Sequence, residues 1–158
     1  MSEIALSDPY IQALVDEQKP AIEPSVFFPT AAKLRHLRAD VEVEGGSGSK
    51  FKVVVRQRED NPLDFSVILG YQMPESSRLF RLRRFNGLSH QHTNPIEHET
   101  FYAYHVHEAT ERYQALPGRN EEHCATPTDA YVDLRGAIDH MLETAGFDPP
   151  AQLRMDRV

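Results

Sequence analysis

The chain contains no tryptophan, so an aromatic core must come from its 8 Phe and 6 Tyr. Its single cysteine, Cys124, excludes an internal disulfide and fits a reducing compartment. No apolar run approaches the roughly 20 residues that cross a bilayer. The acidic opening MSEIALSDPY has neither the basic nor the apolar stretch of a signal peptide. These absences set the expectation of a cytoplasmic protein with no membrane partner. Motifs that would announce a chemistry are missing too: there is no P-loop, no GxGxxG, no GxSxG elbow and no CxxC pair.

What is present suits one domain. The 158 residues are enough for a core of their own. A hydrophobic content of 40% with 26% charged residues marks a chain that folds. The net charge of −7 argues against a surface coated for nucleic acid. The charge is uneven, however: residues 31–90 hold eleven Lys and Arg against seven acids, while the segment after them is strongly acidic. A local basic face on an acidic protein follows.

Periodicity predicts the elements. Ser7-Asp8-Pro9 opens a helix carrying Ile11, Leu14 and Val15. Lys19-Pro20 ends it, and three prolines make residues 20–29 an extended linker. Thr30 caps a second helix running to Arg38. From Val41 the pattern alternates, predicting strands over 41–44, 51–58, 64–73, 78–86 and 101–107, with a His-rich loop over 87–99. Thr126-Pro127 then opens a last helix that Gly146 closes. The expected fold is α+β: a single antiparallel meander sheet of about five strands, with N-terminal helices and a C-terminal helix packed on one face. It forms one domain over 1–158. Helices and linker occupy 1–40, the sheet and loop 41–113, the C-terminal helix 126–146, and a loose tail 148–158.

Strand parity assigns faces. With the apolar sets under the helices, Arg56, Arg58, Arg81, Arg83, His105 and His107 share the opposite face, provided that no strand slips by one residue. Exposed arginines on a half-buried sheet are the ordinary case. Two imidazoles on one strand face, about 7 Å apart, are less ordinary. Imidazole serves as general acid or base near neutral pH, or as a metal ligand when neutral. His92 is placed to join the pair, while His90 and His98 read as polar loop residues. Cys124, next to His123, reads as an incidental thiol. The spacing His105-x-His107-x3-Glu111-x6-Gly118 resembles the first half of the cupin motif, a metal-binding barrel family. Its leading glycine is replaced by Glu99, and no second cupin motif follows.

The strand Phe51–Arg58, the run LFRLRRF, His92-Thr93-Asn94-Pro95, His105-Val106-His107 with Glu111-Arg112-Tyr113, and a helix ending near Ala145-Gly146-Phe147 together resemble an uncharacterised family. It comprises small proteins of bacteria, their phages and mobile elements. The resemblance covers roughly residues 50–147. It departs where Ile96-Glu97 replaces the Asp-Gly expected after Asn-Pro. The resemblance implies a toxin–antitoxin or phage-defence setting. In that setting the Arg/His face implies a toxin-like ribonuclease or phosphodiesterase. Arg56, Arg58, Arg81 and Arg83 hold phosphate. His105 and His107 act as base and acid, with His92 as third participant. Glu111 orients a histidine, and Asn94 orients the loop or the substrate. This reading takes no metal and no cofactor, and its partners are RNA and a protein such as an antitoxin. A non-enzymatic module binding protein or nucleic acid through the same face is the alternative. A metal-binding histidine site is the second alternative.

Overall fold

The computed structural model describes residues 5–28, 37–74, 76–116 and 121–150. Helix α1, Asp8–Asp16, begins as its sequence dictates: the Ser7 hydroxyl accepts from the Tyr10 N–H, and Pro9 occupies the first turn. The proline-rich linker includes one short 3-10 turn, Pro24–Phe27. Four strands follow: β1 Leu37–Glu44, β2 Lys50–Gln57, β3 Phe65–Gln72 and β4 Leu79–Asn86. A hairpin of β5 His92–Asn94 and β6 Glu99–Phe101 then leaves the main sheet. The chain returns as β7 His105–Glu108, turns through the short helix α2 Glu111–Gln114, adds β8 Cys124–Pro127, and ends in α3 Leu134–Thr144.

The main sheet has 6 strands in the order β1-β2-β3-β4-β7-β8, each neighbouring pair antiparallel. The α+β class holds. The meander has one strand more than expected, and a two-stranded hairpin begins in the predicted loop and takes Phe101 from the predicted strand 101–107, which starts only at His105. The first strand starts earlier than predicted: Leu37 and Arg38, assigned to the end of a helix, lie in β1. The rest of that expected helix is outside the described residues. The last helix starts later. Thr126 and Pro127 belong to edge strand β8, where a proline costs no ladder bond. Asp133 takes over as the cap of α3, its side chain accepting from the Gly136 N–H at 2.7 Å. The predicted stop at Gly146 stands: φ is +78°, and a Cβ there would meet the Glu17 carbonyl oxygen at 2.4 Å.

One sheet face packs beneath α1 and α3. Phe51, Val53 and Val55 of β2 meet Phe65, Val67 and Leu69 of β3 there. Ile11, Leu14 and Val15 of α1 join Ile138 and Met141 of α3 in the same cluster. β4 carries a bulge: Leu69 pairs with Arg83 and Gly70 with Arg81, so Leu82 is the extra residue. The bulge lets Phe80, Leu82 and Phe85 all reach the core. It also reverses the alternation beyond Leu82. Arg83, expected beside the histidines, instead shares its side with Leu69 and Glu108. Arg84 takes its place, paired across to His107.

An unforeseen residue joins the helix ends. Lys19, with no exposed surface, donates to the carbonyls of Leu14 (3.0 Å), Val15 (2.8 Å), Glu17 (2.9 Å) and Ala145 (2.8 Å). It caps the C-termini of α1 and α3 at once, where a cation also suits both helix dipoles. The Lys19 Nζ lies 4.5 Å from the centre of the Phe51 ring. Asp148, expected in the loose tail, donates its N–H to the Lys19 carbonyl at 2.8 Å.

Candidate metal centre

The open face of the sheet is read by its register. Arg56, Ser66, Asn86 and His105 form one cross-strand row, and Val54, Ile68, Arg84 and His107 the next. The β5–β6 hairpin brings His92 to β7. Asn94 fixes it there by behaving like a strand residue turned sideways. Its Nδ2 donates to the Ala125 carbonyl at 2.7 Å, its Oδ1 accepts from the Ala125 N–H at 2.9 Å, and the same oxygen accepts from His92 Nε2 at 2.8 Å. Asn94→Ala is therefore expected to cost about 2 to 3 kcal/mol by leaving buried backbone groups of β8 unpaired, measurable by urea denaturation.

His92, His105 and His107 converge. They are 7%, 0% and 2% exposed. Each offers one ring nitrogen, and these nitrogens lie within 4.8 Å of one another. Ring centroids are 5.3 Å apart for His92 and His105, 4.8 Å for His92 and His107, and 4.9 Å for His105 and His107. Hydrogen bonds settle the tautomers, because a carbonyl can only accept. His105 Nδ1 donates to the Ala103 carbonyl at 2.7 Å and His107 Nδ1 to the Glu122 carbonyl at 2.9 Å, so each Nε2 carries a lone pair. His92 Nε2 donates to Asn94 Oδ1 and to the His123 carbonyl at 3.1 Å, leaving the lone pair on Nδ1. The Asn86 Nδ2 group stands 3.4 Å and 3.3 Å from the two Nε2 atoms, held by Ser66 Oγ on its Oδ1 at 3.0 Å. Asn86 thus donates its amide hydrogens to these two lone pairs, and an ion bound there takes the place of the amide.

Electrostatics keep the rings neutral. Burial lowers His105 to about 4, and burial together with the Arg84 guanidinium lowers His107 to about 2. Burial lowers His92 as well.

The arginines are placed differently from the expected basic face. Of the four expected there, buried Glu121 and Glu122 take only Arg81, together with its strand neighbours Arg78 and Arg84: Arg78 lies 3.1 Å and Arg81 3.3 Å from Glu121, and Arg84 lies 2.9 Å from Glu122. Arg58 sits 3.0 Å from Asp60 and 3.6 Å from Asp64. Arg56 is exposed on the histidine side, and Arg83 lies 4.0 Å from Glu108 away from it. Glu111 is exposed at the start of α2, its N–H bonded to Asp8, and among the described residues its side chain makes no hydrogen bond to a histidine. Sequence reasoning missed Glu121 and Glu122. Their only signal was that they are adjacent acids ahead of a short strand in the acidic half. It also missed Asn86 and Ser66, which carry no pattern. Glu97, in the turn after Asn94, accepts from Tyr113 Oη at 2.7 Å and pairs with Arg112, clamping the hairpin onto α2. Cys124 Sγ is 3.9 Å from Glu97 and burial pushes its thiol up, which leaves it a poor nucleophile.

Neither protein-family models, curated proteins nor solved structures match this chain. The site must be read from its own geometry. Three imidazoles around one ion, with nitrogens at about 2.05 Å, place their ring centroids about 5 Å apart. The three observed centroid separations are near that spacing, and the donor nitrogens, within 4.8 Å of one another, would draw in to about 3.3 Å around such an ion.

Proposed function

We propose that this protein binds one late divalent transition-metal ion, with Zn2+ first among them, through His92 Nδ1, His105 Nε2 and His107 Nε2. One observation carries the reading: three buried, neutral imidazoles, each with its second nitrogen held by an oxygen acceptor. That outer arrangement is the usual support of metal-ligating histidines. An all-nitrogen donor set favours Zn2+, Cu2+, Ni2+ or Co2+ over Mg2+ and Ca2+, which take oxygen. An ion so held supplies Lewis acidity at the mouth of the sheet face.

Acid–base cleavage of RNA through His105 and His107 draws less support. A general acid must hold a proton near neutral pH, and burial takes both histidines well below that range. The phosphate grip is also reduced, because Glu121 and Glu122 engage Arg78, Arg81 and Arg84. A place in a mobile-element or defence module rests on the family resemblance alone.

The test is elemental analysis of protein purified without chelator or affinity histidines. About one equivalent of metal per chain is expected, and none in His105→Ala/His107→Ala. Wild-type protein that neither retains metal nor takes up added Zn2+ rejects the reading.

A further inference from the structure

Three histidines leave a tetrahedral ion one position short. Resting on the metal reading above, we propose that His90 supplies the fourth ligand, making a four-imidazole centre that is closed at rest and opened from the solvent side. The ring of His90 lies 5.9 Å from that of His105, meeting it at 86°. That is only slightly wider than the 4.8 to 5.3 Å among the three buried rings. Its Nδ1 contacts Ser89 Oγ at 3.0 Å. With that oxygen accepting, Nε2 carries the lone pair. His90 then repeats the arrangement of His105 and His107, in which an oxygen holds Nδ1 and Nε2 is left for the metal.

Freedom to move separates His90 from its rival. His123 lies 5.2 Å from His92, but its ring also stacks on Tyr113 at 6.2 Å, and its backbone carbonyl is bound by His92. Among the described residues each outer ring meets one of the three, His123 meeting His92 and His90 meeting His105. His90 is exposed, and its ring is tethered through the neighbouring serine. A side-chain rotation that exchanges the Ser89 contact for the ion would bring it toward the cluster without moving a strand. The three buried histidines have no such latitude, since each is tied to a backbone carbonyl. His90 is therefore the ligand through which the ion enters and leaves. Its departure is what opens a position to an external anion or water.

The experiment uses the full chain without affinity histidines, loaded with Co2+, in three forms: wild type, His90→Ala and His123→Ala. Visible spectra are recorded with and without thiocyanate, and affinity is measured by chelator competition. Wild type is expected to give an intense tetrahedral Co2+ spectrum that millimolar thiocyanate does not change. His90→Ala is expected to bind Co2+ at least about tenfold more weakly, the lower end of what even outer-shell partners cost, and its spectrum should respond to thiocyanate. His123→Ala should follow wild type. A thiocyanate-sensitive wild type overturns the proposal in favour of an open three-histidine site. So does a His90→Ala protein equal to wild type in affinity and spectrum. Failure of wild type to take up Co2+ overturns the metal reading, and this inference with it. Because His90 is exposed and, among the described residues, its side chain meets Ser89 and His105, loss of folding does not confuse the result.

Discussion

Adding a chelator to the metal-loaded protein should lower its melting temperature by roughly 10 °C. A ligand that binds only the folded chain stabilises it by about 4 kcal/mol when free ligand stands at a thousand times its dissociation constant. For a chain of this length each kcal/mol moves the midpoint by about 2 to 4 °C. The ligands come from two elements distant in sequence, His92 from the β5–β6 hairpin and His105 and His107 from β7. The unfolded chain has no such arrangement, so the binding energy adds to folding energy. Calorimetric scans with Zn2+ and with EDTA measure the shift. His92→Ala should remove it, because one of the three buried donors is lost. A His92→Ala protein with the same Zn2+-dependent shift as wild type would place the metal elsewhere.

The second large effect is expected far from that centre. Lys19→Met should cost about 4 kcal/mol, read as a lower urea midpoint at unchanged slope. The methionine fills similar volume but leaves the carbonyls of Leu14, Val15, Glu17 and Ala145 without the ammonium that they share. Removing one partner of a buried charged network costs about 3 to 5 kcal/mol, since the groups left behind are desolvated and unpaired. The pH dependence provides an independent check. Burial lowers Lys19 from the usual lysine value to about 8, so it is still protonated at pH 7. Its folded value lies below its unfolded one. Between about 8 and the ordinary lysine range the unfolded chain therefore binds the proton more tightly, and wild-type stability gains on the variant as pH rises through that window. A gap between wild type and Lys19→Met that narrows over this range would show that the ammonium is not desolvated as described.

Much of the fold was legible because it follows from local chemistry. Ser7-Asp8-Pro9 can begin a helix, Gly146 can end one, and Phe51 to Gln57 alternates as a half-buried strand must. Where a second element decides the outcome, local reading failed. Thr126-Pro127 is a good helix opening, yet β7 offers a ladder that only an edge strand can take, and Thr126 and Pro127 join it. The segment at His92 looks like loop because three residues are too short for a periodic signal, and only its pairing with Glu99–Phe101 makes it a strand.

At the site the division is similar. The sequence by itself determined that His105 and His107 point the same way, since a strand returns to one face every second residue. It also flagged His92 and Asn94 as their companions. It determined an α+β fold without an internal disulfide, from a lone cysteine and a change of period near Val41. Only the tertiary structure decided which arginine stands beside the histidines, because one extra residue at Leu82 exchanges Arg83 for Arg84. Only the tertiary structure decided that the basic face is largely neutralised, because Glu121 and Glu122 reach it from about forty residues away along the chain. Burial, too, belongs to the assembled fold. A histidine in a sequence has an ordinary affinity for protons, and it becomes a buried neutral imidazole only when the hairpin, β7 and the carbonyls of Ala103, Glu122 and His123 enclose it.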